Sequence, residues 1–147
     1  MYSFILIFHI VLSVLLVILT FYTVVRAILG IFNKVKFSKF FDLSIPIVSV
    51  IFLYLELILG LILYAIHINR LEILITPENA SSYFSARFWA VEHAILMFFA
   101  IVFGHLGLVY AKNLENDQEK FKKILMYFST CFLLIIFSVG MNMFKNG

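Results

Sequence analysis

The first 25 residues contain no lysine, arginine, aspartate or glutamate, and the first formal charge is Arg26. A bilayer's hydrocarbon core is about 30 Å thick and takes roughly 20 helical residues at about 1.5 Å each. A run this long and apolar therefore spells a transmembrane helix, predicted over about 3–30. It lacks the basic start of a cleavable leader and exceeds a leader's apolar length, so it is read as a retained span. Three more runs meet the same requirement, predicting helices over about 46–67, 82–112 and 122–144, the first of these preceded by a cap at Asp42 or Ser44.

Composition extends that reading to the whole chain. Of 147 residues, 64% are hydrophobic and 13% charged, with a mean hydropathy of +1.09. A soluble domain is about 45–50% apolar and about 25% charged, and one of this length has too little interior for so much apolar surface. We expect one all-α integral membrane domain over 1–147, an up-down-up-down four-helix bundle in which helices 1 and 3 lie across the diagonal. The lone Cys131 excludes an intrachain disulfide and a cysteine metal site. No phosphate loop, zinc-protease motif, nucleophile elbow or nucleic-acid patch is present.

Orientation follows from the basic residues. Arg26, Lys34, Lys36 and Lys39 fall in the link after span 1, and Lys112, Lys120, Lys122 and Lys123 in the link after span 3. The opposite side has Arg70, Arg87 and Lys145. Eight against three predicts both basic links in the cytoplasm and both termini outside.

Ionisable residues at depth are costly in hydrocarbon and mark candidate functional positions. Here they are His9, Glu56, Glu92, His93 and His105. His9 lies six residues past Ser3 and His93 six past Arg87, so each is about 9 Å inside the same boundary. Two imidazoles at one depth on diagonal helices suit the two axial positions of a haem iron. Gly60 and Gly140, at a similar level on spans 2 and 4, would let a flat macrocycle pass, and Arg87, with Arg70, would meet its propionates. The bland alternatives are histidines that only bridge helices and glycines that only let helices pack closely.

His105 lies about 18 Å deeper than His93 and about 120° around the helix. With no second histidine at that level, one haem is the limit, and the "GHLG" around His105 reads as tight helix packing. Glu56 is expected near mid-membrane with Tyr22, Tyr54 or Tyr64 as candidate partners. Glu92 is about 100° from His93 on the helix and is assigned to a neighbouring helix or to orienting a histidine.

The stretch "RFWAVEHAILMFFAIVFGH" (residues 87–105), with "LILGLILY" in span 2 and the early histidine of "FHIVLSVLL", resembles a family of small bacterial four-span membrane proteins labelled cytochrome B. The resemblance implies a bacterial cytoplasmic-membrane protein with b-type haem (haem b) held by His9 and His93. It also implies electron transfer with quinone or other respiratory membrane proteins, as a carrier or subunit more than a stand-alone enzyme. The chain departs from the family in having Tyr54 where relatives often carry a histidine. Two other functions fit the same residues: a cofactor-free accessory or scaffold subunit, and a proton-coupled transporter or channel using Glu56 and His105.

Overall fold

The computed structural model describes the backbone of residues 2–71 and 91–145, with side chains over 2–66 and 91–140. The described residues form four α-helices, α1 Tyr2–Phe32, α2 Ser44–Leu71, α3 His93–Asn113 and α4 Asp117–Lys145, with a π-helical turn at Lys39–Leu43 before α2. All four are long and apolar enough to cross a membrane. α1 and α3 each pack against both α2 and α4, which places α1 and α3 on one diagonal of an all-α bundle. The part of the expected third span that precedes residue 91 lies outside the described residues.

Two boundaries differ from the sequence expectation for identifiable reasons. α4 begins at Asp117 and not near 122. The Asn116 side chain accepts from the backbone N–H groups of Gln118 (2.8 Å) and Glu119 (3.2 Å), and Asp117 and Glu119 sit in the positively polarised first turn. Residues that read as a charged link are thus the capped start of a helix, and the link shrinks to 114–116. α2 begins at Ser44, with Pro46 in a first turn that needs no N–H from it.

The turn before α2 is held by a buried ion pair. Asp42, expected as a helix cap, instead takes Arg26 of α1 through Nε at 2.6 Å and Nη2 at 3.3 Å, and accepts from the Ser38 backbone N–H at 2.8 Å. Asp42 is 4% exposed, so the fork of the guanidinium compensates a carboxylate with almost no water. Gln118 of α4 reaches the carbonyls of Gly30 (3.3 Å) and Val35 (3.4 Å), joining the same end of the bundle.

The bundle is apolar outside as well as inside. Phe4, Phe32 and Leu133 are 75%, 79% and 64% exposed, as befits side chains that meet lipid. Lipid tails give helices no hydrophobic reason to associate, so close packing must hold them, and small residues make it possible. One buried layer, nearer the basic end, contains Ala27, Val50, Leu108, Phe121 and Phe128, and a second contains Leu16, Leu53, Ala100, Cys131 and Ile135. Both glycines of "GHLG" face inward. A Cβ on Gly104 would meet Leu53 at 3.2 Å, and one on Gly107 would meet Phe128 at 2.9 Å.

Gly30 is tighter still, because a Cβ there would lie 2.6 Å from the Phe121 ring, itself 1% exposed. Gly30→Ala should therefore cost about 1–3 kcal/mol, the usual range for overpacking, measured by unfolding in mixed micelles. Phe121→Leu in the same chain should recover part of the loss. Equal stability of Gly30→Ala and wild type would contradict this packing.

Candidate functional site

Above the second apolar layer, toward the end opposite the basic links, the core turns polar. Each of its polar positions lies one or two helical turns from an apolar residue of that layer. His9 is seven residues before Leu16, Glu56 three after Leu53, His93 seven before Ala100 and Ser138 three after Ile135. Helical periodicity carries each of the four onto the inward stripe of its own helix. Every helix thereby contributes one polar side chain to a single level of the bundle.

These side chains meet in pairs and the pairs meet each other. His9 Nδ1 is in ion-pair contact with Oε2 of Glu56, whose side chain is 3% exposed. His93 Nδ1 and Ser138 Oγ share a hydrogen bond of 2.5 Å, and Ser138 is fully buried. Across the diagonal, the His9 and His93 rings lie with centroids 6.3 Å apart and planes at 75°. The matched depth of the two histidines has become a ring contact. Glu56 reaches His9, not the tyrosines expected as its partners.

Ser138 carried no signal in the sequence. Most hydroxyls inside these helices bond their own backbone, as Ser13, Thr20, Thr23 and Ser49 do to the carbonyl four residues earlier. Ser138 bonds a histidine on another helix, and only its rotation about α4 distinguishes it. Glu92 is half-buried at the start of α3, directly before His93.

The remaining sequence candidates are placed differently. His105 pairs with Tyr54 on the outside of the bundle, away from the buried contact that Glu56 makes. A Cβ added to Gly60 or Gly140 would meet nothing within 4 Å among the described residues, so neither glycine is a point of tight helix packing there. Arg87 and the side chains of Arg70 and Lys145 lie outside the described residues.

The donor set limits what the cluster can hold. Among the described residues no group of three or more His, Cys, Asp or Glu side chains is arranged to hold a metal ion. Two imidazoles alone do not complete the four protein ligands of a structural zinc site. They do suffice for an iron whose equatorial ligands come from a macrocycle. His9 and His93, whose rings meet edge to face within the usual range of packed ring pairs, would be the residues to hold such an iron. With Nδ1 of each ring engaged by α2 or α4, Nε2 is the nitrogen each would present to a metal, the usual arrangement when an outer partner orients a ligand.

No protein-family model, curated protein or solved structure matches this chain.

The pairing itself is open to measurement. Interhelical hydrogen bonds in membranes contribute about 0.6 kcal/mol on average and about 1.7 at most. A double-mutant cycle of His9→Leu and Glu56→Leu, read by unfolding in mixed micelles, should give a coupling in that range. A cycle of Glu56→Leu and Ser138→Ala should be additive within about 0.5 kcal/mol. The reverse ranking would contradict the pairing.

Proposed function

We propose that this chain is a membrane electron carrier that holds one b-type haem between His9 and His93. The observation that supports this reading is the meeting of two imidazoles from diagonal helices inside the bundle, each contacted at Nδ1 by a side chain from a different neighbouring helix. The sequence resemblance to the small four-span proteins labelled cytochrome B points the same way. A haem so held supplies a one-electron couple between ferric and ferrous iron.

The chain's own residues have definable tasks in this scheme. His9 and His93 would hold the haem iron. Glu56 would fix the rotation of the His9 ring, and a carboxylate there would make that imidazole a stronger donor and favour the oxidised state of a bound haem. Ser138 would fix the His93 ring by a neutral contact, so the two imidazoles would differ in basicity. Arg87 and Arg70 are assigned to propionate binding, and Gly60 and Gly140 to macrocycle clearance. The distribution of Lys and Arg supports both termini lying outside, and the resemblance supports a bacterial cytoplasmic membrane. Exchange of electrons with quinone or another respiratory membrane protein follows from that setting.

Protein purified from haem-replete cells should show a Soret band that shifts and sharpens on reduction with dithionite. His9→Ala and His93→Ala should each lose the bis-imidazole spectrum. Glu56→Gln should keep it and raise the midpoint potential, because a neutral amide no longer favours the ferric state. A colourless wild-type preparation would contradict haem binding and leave the four side chains as an interhelical clamp in an accessory subunit.

A further inference from the structure

The two basic links at one end of the bundle differ in how their charge is compensated. Around the α3–α4 link, Lys112, Lys120, Lys122 and Lys123 stand beside Glu115, Asp117 and Glu119. Lys120 Nζ lies 3.7 Å from Asp117. The α1–α2 link carries Lys34, Lys36 and Lys39 with Asp42 as its one acid, and Asp42 is already taken by Arg26. Among the described residues no carboxylate lies within ion-pair distance of these three lysines. All three are exposed.

The α1–α2 link is docked against the bundle. Lys34 closes α1 in the left-handed region (φ 50°), a slot that glycine usually fills, and the Val35 N–H returns to the Gly30 carbonyl at 3.2 Å. Gln118 takes the Val35 carbonyl, and the Phe37 ring packs on Phe121 with centroids 5.1 Å apart. Asp42 takes the Ser38 N–H. Val35 and Phe37 are half-buried, and Lys36 between them faces out. Six residues separate α1 from the π-helical turn, at most about 20 Å of chain. The lysines are thereby held at the level where two membrane spans end. Phe32, Phe40 and Phe41 flank them, 79%, 74% and 61% exposed.

Uncompensated ammonium groups beside exposed benzene rings at a membrane boundary suit one kind of partner. It carries anionic oxygen at headgroup level and hydrocarbon just below. Lysine binds phosphate as a point charge, and phenylalanine lies at the boundary of headgroups and acyl chains. A zwitterionic headgroup satisfies this poorly, because its own ammonium repels the lysines. A soluble polyanion would use the lysines and not the rings beside them. We infer that the α1–α2 link binds anionic phospholipid, with Lys34, Lys36 and Lys39 on the headgroup and Phe32, Phe40 and Phe41 among the acyl chains. This end of the bundle lies opposite His9 and His93, so the inference is independent of haem.

The test places a fluorescent reporter at the link, by Phe40→Trp in a Trp89→Phe background of the full-length chain. The protein is reconstituted in phosphatidylcholine vesicles containing brominated phosphatidylglycerol or brominated phosphatidylcholine of identical acyl chains. Bromine quenches only a nearby indole, so the quenching curves give the relative affinity of this site for the two lipids. Phosphatidylglycerol should be preferred at about 0.1 M salt, and the preference should collapse at about 1 M, where charges are screened within about 3 Å. Lys36→Gln and Lys39→Gln, both at exposed positions, should each lower the preference by up to about fivefold. Lys122→Gln, on the compensated link, should leave it unchanged. Equal quenching by the two lipids would overturn the inference. An equal loss in Lys122→Gln would also overturn it, by showing diffuse attraction to net charge. So would equal quenching with lysine-dependent retention on polyuridylate, which would assign the lysines to a soluble polyanion.

Discussion

Hydrocarbon does not tolerate an unpaired carboxylate, and that constraint sets the rotation of these helices. Glu56 has almost no solvent exposure and must meet a partner inside the bundle. Its contact with His9 fixes α2 against α1. The His9 ring then meets His93 across the diagonal, and Ser138 fixes His93 from α4. Four side chains, one from each helix, thus define one level of the bundle. Rotating any helix by one residue, about 100°, would carry its polar group out toward lipid or into the apolar layers.

The opposite end obeys the same rule by different means. Arg26 and Asp42 neutralise each other where α1 meets the turn before α2, and Gln118 takes carbonyls left over at the end of α1. Between these two polar levels lie two layers of apolar and small residues whose contacts tolerate little change. The bundle is clamped at both ends by directional interactions and filled between them by shape. That division leaves the His9 and His93 rings oriented by directional contacts from α2 and α4.

Much of the architecture was legible in the sequence because it depends on one-dimensional quantities. Span number follows from apolar run length, and the depths of His9 and His93 follow from counting residues at a fixed rise. The diagonal placement of α1 and α3 follows from short links. What depends on rotation or on side-chain reach was not legible. Glu56 was placed by its backbone depth, but its side chain extends along the bundle to His9. Ser138 looked like any other hydroxyl in an apolar helix, and only its azimuth separates it from the residues that bond their own backbone. Asp42 looked like a cap because its sequence position was right for one, while Arg26, sixteen residues earlier, was counted as a topological charge. The start of α4 was hidden because its capping and first-turn residues are as polar as a loop.

The proposed function requires that His9 and His93 together ligate one iron. Near-infrared magnetic circular dichroism of the oxidised protein tests it most directly, because the charge-transfer band of low-spin ferric haem reports the identity of both axial ligands. A single bis-imidazole species is expected in the wild type, lost when either His9 or His93 is replaced. A band from any other ligand pair, or no ferric haem signal from protein made in haem-replete cells, would contradict it.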